Sequence, residues 1–193
     1  MSIKGILYAP IRIIKYIINK SRYGSISWST YIEKPLRIEH KENIYLGANV
    51  CIASYCWLAA NPKVAGAADA KLIIGDGSAV GDYAHIYATK EIQLEKNVLL
   101  ANYVYISDNL HGYEDISIPI IHQSIVQKNP VLIGEGSWIG EHACIIGASV
   151  GRHSVIGANS VVTHDIPDYS IAVGAPARVI KRYNFETQKW EKV

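Results

Sequence analysis

The chain has 193 residues, 49% apolar and 19% charged, which suits one folded domain with a short extension and excludes a disordered chain. The formal net charge of +2 provides no global field that favours nucleic acid, so no nucleic-acid partner is expected. The three cysteines are an odd number without a CxxC pair, which excludes a disulfide framework and fits a reducing cytoplasm.

The first predicted element lies in residues 1–25, a basic, isoleucine-rich segment. Pro10 is expected to end or kink any first helix. The apolar spacing from Ile11 to Ile18 predicts a short amphipathic helix. Cations interrupt the apolar run, which is too short to cross a bilayer. The segment has no small-residue cleavage site, so we do not expect a secretory signal. Two interpretations stay open. The helix caps the open end of the following domain, which we prefer, or residues 1–20 lie on an anionic membrane surface.

From Ile26 onward an aliphatic residue recurs every six positions, and this repeat decides the fold class. A glycine often follows the aliphatic residue, as in Val80-Gly81 and Ile156-Gly157. A period of six is neither the period of 2 of a strand nor the 3.6 of a helix. The six series are Ile26, Ile32 and Ile38; Leu46, Ile52 and Leu58; Ile74, Val80 and Ile86; Leu94, Leu100 and Ile106; Ile133, Ile139 and Ile145; and Val150, Ile156 and Val162.

A six-residue period describes one short strand and one turn, so three repeats make one triangular coil. The aliphatic side chains point into the resulting prism, and glycine stands where a turn needs a positive φ or a close backbone approach. Successive coils stack about 4.8 Å apart, so about six coils give a prism roughly 30 Å tall. The sequence therefore predicts an all-β solenoid, a parallel β-helix over residues 26–175.

Two excursions interrupt the repeat, at residues 59–71 and 107–130. Long irregular segments in a regular scaffold often carry function. Residues 176–193 are predicted to form a C-terminal cap, a short strand or helix that covers the exposed edge of the last coil.

Several segments resemble the hexapeptide-repeat acetyltransferases, of the galactoside, maltose and xenobiotic acetyltransferase type. They read IGEGSWIGEHA at 133–143, IGANSVVTHDIPD at 156–168 and IAVGAPARVIKR at 171–182. The segment YISDNLHGYEDISIPIIHQ at 105–123 resembles the active-site loop of members that act on capsule, exopolysaccharide or O-antigen sugars. The resemblance covers roughly residues 26–183.

The resemblance implies left-handed coils, although parallel crossovers are ordinarily right-handed. It implies a homotrimer with active sites between subunits, acetyl-CoA as cosubstrate in the groove between two prisms, and no metal. The implied activity is O-acetylation of a sugar or polysaccharide precursor. We expect a cytoplasmic protein, held at the inner face of the cell membrane if residues 1–20 bind lipid.

His111, at the start of the large excursion, is the candidate general base. An imidazole titrates near neutral pH and can accept the proton of an acceptor hydroxyl, which typically accelerates a reaction by about 10²–10⁴. A partner should fix its tautomer, and Asp108 is preferred over Glu114 and Asp115 because it lies at the edge of a coil. Backbone amides of the coil turns near Gly140 are candidate oxyanion donors.

The residues that bind acetyl-CoA are carried over from the resemblance. Small residues let the pantetheine arm approach the backbone, cationic residues pair with phosphates, and Trp138 covers the arm or packs between subunits. The predicted set is Trp138, Gly140, Ala158, Thr163, His164, Arg178 and Lys181. Tyrosines that could stack on an acceptor sugar, or merely line the outside of strands, are Tyr83, Tyr87, Tyr103, Tyr105 and Tyr113.

Three alternatives remain at this stage. An N-acyltransferase acting on an amino-sugar shares the prism, but often carries an additional nucleotide-binding domain. A γ-class carbonic anhydrase-like metalloenzyme uses three histidines around a metal. Here His111 and His122, and likewise His142 and His153, are spaced too widely for the close pair of that family, and His85 stands alone. A non-catalytic scaffold would need neither a base nor a CoA groove.

Overall fold

Three parallel sheets form the sides of a triangular prism in the computed structural model, which describes residues 9–63 and 69–193. Face A contains β1 (Ser25–Ile26), β4 (Ile44–Leu46), β7 (Lys71–Ile74), β10 (Glu91–Leu94) and β15 (Val131–Ile133). The parallel strands of face B are β2 (Tyr31–Ile32), β5 (Cys51–Ile52), β8 (Ala79–Val80), β11 (Leu99–Leu100), β16 (Trp138–Ile139), β18 (Val155–Ile156) and β20 (Ser170–Val173). Face C contains β3 (Arg37–Glu39), β6 (Trp57–Ala60), β9 (His85–Ala88), β12 (Tyr105–Ser107), β17 (Cys144–Ile146) and β19 (Val161–Val162).

The chain visits faces A, B and C in turn, so each coil lies on the previous one. Single parallel bridges at Val150 and Ile166 continue face A where no longer strand forms. The result is six complete coils and part of a seventh, which confirms the predicted left-handed parallel β-helix.

The core of the prism consists of the aliphatic residues of the six-residue repeat. Ile52, Leu58, Ile86 and Ile106, for example, are completely buried. Residues of the first coil, such as Ile38, are only partly buried, because that coil has a neighbour on one side only.

The segment before the prism forms helix α1 (Ala9–Asn19). Pro10 lies in the first turn of this helix, where its missing N–H costs no hydrogen bond. The prediction that Pro10 ends or kinks a first helix concerns residues 1–8, which lie outside the described residues. The exposed side chains of α1 include Ile13, Ile14 and Ile17. The role of this segment, as a cap of the prism or as a membrane contact, stays a prediction. Among the described residues, no helix is long and apolar enough to cross a membrane.

Neighbouring strands take up both predicted ends of the first excursion, and Ser107 at the start of the second. The first follows β6 and precedes β7, and residues 64–68 within it lie outside the described residues. The second contains an antiparallel hairpin of β13 (Asn109–His111) and β14 (Ile125–Gln127), with a 3₁₀ turn at Ile120–His122 between them.

After the last coil, β21 (Arg178–Asn184) turns back antiparallel to β20, and β22 (Lys189–Lys192) pairs with β21. Of the two predicted alternatives, a strand or a helix, the structure shows strands. They cover the edge that face B would otherwise leave open at this end.

Candidate active site

A cavity of about 530 Å³ lies between the outer side of face C and the β13–β14 hairpin. This volume is in the range of small-molecule sites. The residues that line it are Arg37, Glu39, Trp57, Asn61, His85, Tyr87, Tyr105, Asn109, Leu110, His111 and Ile125.

Strand alternation explains why these residues meet. In face C the aliphatic repeat residue points inward, so the residues on either side of it point outward. The parallel register places Arg37 beside Trp57, Trp57 beside His85, and His85 beside Tyr105. Four successive coils thus each contribute a side chain to one wall.

The wall is a stack of planar groups. The Arg37 guanidinium lies 4.9 Å from the centre of the Trp57 ring, and the His85 ring stacks on Trp57 at 4.2 Å with 7° between the planes. Glu39 accepts a hydrogen bond from the Trp57 indole nitrogen at 3.2 Å. Tyr87 stands at right angles to both rings. Both faces of Trp57 are therefore covered, and the stack offers ring edges and polar atoms to a ligand.

His85 lies within this stack with its Nε2 atom buried, and no hydrogen-bond partner of that atom is found among the described residues. Burial lowers the pKa of His85, and the nearby Glu39 carboxylate opposes this shift. The imidazole therefore favours its neutral form, which suits a wall that also holds a cation, Arg37.

We expect the free energy of unfolding to fall as the pH drops below about 6.5, the ordinary pKa of an unfolded histidine. The folded pKa of His85 lies below the unfolded one, so stability is present above the unfolded pKa and is lost as pH falls through it. His85→Phe, which keeps a ring on Trp57, should lose less stability between about pH 7.5 and 5.5 in urea denaturation. Equal losses in both proteins would show that another group causes the pH dependence.

Asp108 is completely buried, and its carboxylate anchors the neighbouring coil. Oδ1 accepts hydrogen bonds from the Thr89 amide at 2.8 Å and the Asn109 side chain at 3.1 Å, and lies 2.9 Å from the Thr89 hydroxyl. Oδ2 accepts from the amides of Lys90 at 2.7 Å and Glu91 at 2.9 Å. These contacts tie the start of the hairpin to the corner between β9 and β10. No contact with His111 is among them, so the geometry supports a structural role for Asp108.

His111 ends β13 at the mouth of the cavity, and its side chain is exposed. In the described parts of the chain, no side chain donates or accepts a hydrogen bond at its imidazole. Of the two other predicted partners, Asp115 instead accepts hydrogen bonds from the amide and hydroxyl of Ser117, which lower its pKa. His111, the predicted base, thus lies at the cavity, and the Asp115 carboxylate bonds to Ser117 instead of to its imidazole.

The residues predicted to bind acetyl-CoA lie away from this cavity. Trp138 projects from the outer side of face B, and Ala158 lies at an exposed corner after β18. Thr163 and His164 follow β19 and contact each other at 3.0 Å between Oγ1 and Nδ1. Exposed Arg178 and half-buried Lys181 lie on β21. Within the described residues, none of the predicted set lines the cavity of His111.

Gly140 is buried against the next coil, where a β-carbon would lie 2.6 Å from the Ala158 nitrogen and 2.7 Å from the Ile156 oxygen. Its amide donates to that Ile156 carbonyl at 2.8 Å, so this one amide is already used. The prediction that amides of the turns near Gly140 act as oxyanion donors stays a prediction.

We expect Gly140→Ala to destabilise the prism by about 1–3 kcal/mol, because the added methyl group forces two coils apart. Chemical denaturation measures this change, and calorimetry with acetyl-CoA on the folded variant gives the matching affinity. A variant of unchanged stability that binds acetyl-CoA poorly would contradict the packing role and favour a direct contact with the cosubstrate.

Two of the tyrosines that were predicted to stack on a sugar stack instead on aromatic rings of neighbouring coils. Tyr83 and Tyr103 stack on each other at 4.9 Å, and the column continues to Tyr55 on one side and His142 on the other, at 5.0 and 4.7 Å. Their ring faces are covered by neighbouring coils and are not available to a sugar. Tyr87 and Tyr105 line the cavity, and Tyr113 is exposed on the excursion.

Sequence reasoning missed the contribution of the first coils to the site. Arg37, Glu39 and Trp57 were not predicted, and His85 was considered only as a metal ligand. One sequence signal could have found them. In coils one to four, the outward-pointing residue next to the third aliphatic residue of the coil is charged or aromatic. Over residues 9–63 and 69–193, no group of three or more histidine, cysteine, aspartate or glutamate residues has the arrangement of a metal site.

Comparison with known proteins gives consistent matches. Residues 130–164 match a family model described as the hexapeptide repeat of succinyl-transferase. The chain is 35% identical over 128 residues to a putative lipopolysaccharide biosynthesis O-acetyl transferase of Escherichia coli, covering 63% of this chain and 65% of that protein. It is 30% identical over 172 residues to the galactoside O-acetyltransferase of E. coli, covering 86% and 66%. The chain thus spans just under two thirds of the length of these relatives.

The fold is also that of solved acyltransferases. The structure of AntD, an N-acyltransferase from Bacillus cereus in complex with dTDP and 3-hydroxybutyryl-CoA, matches with a TM-score of 0.73 at 22% identity, over 90% of both chains. This likeness concerns the fold. The six-residue repeat, the family model over residues 130–164 and the sequence relatives agree that the chain is similar to the hexapeptide-repeat acyltransferases.

Proposed function

We propose that this protein is an acyltransferase that moves the acetyl group of acetyl-CoA to a hydroxyl of a sugar or polysaccharide precursor. The observation that carries the proposal is the position of His111 at a cavity of about 530 Å³ whose walls combine aromatic edges with polar groups. Such walls suit a sugar, which presents both C–H surfaces and hydroxyls. The names of the two E. coli relatives, both O-acetyltransferases, support the oxygen acceptor.

In the proposed reaction His111 accepts the proton of the acceptor hydroxyl while the oxygen bonds to the carbonyl carbon of the acetyl group. The carbon–sulfur bond then breaks, and the protonated imidazole returns the proton to the leaving sulfur. Bound acetyl-CoA supplies an activated thioester, so the chain needs no covalent nucleophile. The exposed Arg178 and the small, exposed Ala158 fit phosphates and a pantetheine arm, respectively.

We propose a homotrimer with its sites between subunits. In one chain, His111 faces the cavity on face C, whereas Trp138 projects from face B. This separation supports a site that a second copy completes. Mixing His111→Ala chains with Arg178→Ala chains after partial denaturation should restore activity in the hybrids if sites are shared. We also expect light scattering to give the mass of three chains.

Transfer to the amine of an amino-sugar is the second candidate, favoured by the fold likeness to the AntD N-acyltransferase. The cavity suits either acceptor, because an amine must also lose a proton as it attacks. A location in the cytoplasm is part of the proposal and is supported by three free cysteines.

The proposal is tested by calorimetry with acetyl-CoA, followed by CoA release with matched pairs of sugars that differ only in a hydroxyl or an amine. Acetyl-CoA binding with CoA release only for hydroxyl sugars supports O-transfer, and release only for amino-sugars supports the second candidate. A protein that binds no acetyl-CoA is not an acetyl-CoA-dependent enzyme, and the proposal then fails.

A further inference from the structure

Helix α1 presents an apolar side that nothing else in the described chain covers. Its isoleucines, Ile13, Ile14, Ile17 and Ile18, are between 46% and 57% exposed. At 100° per residue they fall within an arc of roughly 140°, so they form one continuous side of the helix. Four exposed isoleucines on one helix are costly in water and need an apolar neighbour.

The charges around this helix indicate which kind of surface its apolar side contacts. The first 32 residues contain no aspartate or glutamate. Their cations are Lys4, Arg12, Lys15, Lys20 and Arg22. Lys20 and Arg22, immediately after the helix, are exposed. An isoleucine side next to cations without a balancing anion matches the two layers of an anionic bilayer surface, acyl chains below and phosphates above.

A second apolar feature lies at the same end of the molecule. The first coil exposes Trp28 by 62% and Leu36 by 69%, and both stand in turns at the base of the prism. Tyr23, buried against the core, ties the chain to this coil, so only residues 20–22 separate it from the helix. Tryptophan is enriched where protein meets the interface of a bilayer. Helix and base can therefore contact one surface together.

We infer that α1 and the base of the first coil bind the surface of an anionic phospholipid membrane, with the helix lying in the interface. The isoleucine side enters the boundary of the acyl chains, while Lys20 and Arg22 pair with lipid phosphates. This binding is independent of the acyl-transfer reaction, because it uses no residue of the cavity.

The test is sedimentation of the full-length protein with vesicles of phosphatidylglycerol and phosphatidylcholine, and with vesicles of phosphatidylcholine alone. We expect wild type to bind the anionic vesicles, more weakly as salt increases. Ile14→Asp with Ile18→Asp should lower the partition coefficient by on the order of tenfold or more. Both positions are exposed, so the fold should survive. Lys20→Gln with Arg22→Gln should lower the partition coefficient by about fivefold for each cation removed, and only on anionic vesicles.

The matched control is Phe185→Asp with Val193→Asp, which makes the same change of charge at exposed apolar residues near the opposite end of the prism. Binding should equal that of wild type. The inference is overturned if wild type does not bind anionic vesicles at low salt, or if the Ile14 and Ile18 variant binds equally well. It is also overturned if wild type does not bind vesicles and the oligomer of that variant dissociates, because the isoleucines of the helix then pack against a second copy of the chain. Acetyl transfer to a soluble sugar, measured in parallel, reports separately on the proposed function.

Discussion

Replacing His111 by alanine is expected to lower kcat by about 10²–10⁴, the usual contribution of a positioned base, while acetyl-CoA still binds. The side chain is exposed at the mouth of the cavity, so the fold and the thermal midpoint should not change. Steady-state CoA release, with calorimetry for acetyl-CoA, separates the loss of chemistry from any loss of binding.

The control for this prediction is His153→Asn, at an exposed corner outside the cavity. His153 has a positive φ of 48°, a conformation that asparagine tolerates well. Its activity should match that of wild type. A His111→Ala enzyme that keeps more than about a tenth of the wild-type kcat would place the base elsewhere, and His85 would become the next candidate in the same cavity.

Replacing Asp108 by alanine is expected to reduce the free energy of unfolding by at least about 3 kcal/mol. The change leaves the buried amide of Thr89 and the partly buried amides of Lys90 and Glu91 without their acceptor, and each such unpaired donor costs about 1 kcal/mol or more. Urea denaturation measures the loss. We expect the residual activity of the folded fraction at low temperature to keep the pH profile of wild type, because the carboxylate contacts the coil backbone.

A comparison with Asp115→Asn makes this prediction specific. Asp115 is an exposed carboxylate on the same excursion, bonded only locally to Ser117, and its replacement should hardly move the thermal midpoint. A shifted pH profile in Asp108→Ala, with stability retained, would instead support the original hypothesis that Asp108 orients His111.

Much of the fold was predictable, because one physical signal repeats along the chain. Each aliphatic residue of the series must enter the prism, so the positions of Leu58, Ile86 and Ile106 in the core follow directly from their spacing. Helix α1 was predictable from its apolar spacing for the same reason. The spacing did not predict whether these isoleucines pack on the prism, because it shows which side of the helix is apolar and not what that side contacts.

The site was predictable only in part. His111 was found through its loop, but the wall formed by Arg37, Trp57 and His85 was not. These residues are distant in sequence, and the first excursion separates Trp57 from His85. They meet because β6 and β9, on either side of the first excursion, keep the parallel register of face C.

By itself, the sequence determined the coil architecture, the inward residues and the cationic, isoleucine-rich first segment, because periodicity and charge are local properties. Only the tertiary structure decided the partners of Asp108 and the composition of the cavity, because both depend on how coils and hairpin are stacked. It also decided that the apolar side of α1 remains exposed. Hydrogen bonds from Thr89 to Asp108, and the ring contact of Trp57 with His85, join residues that no local pattern connects.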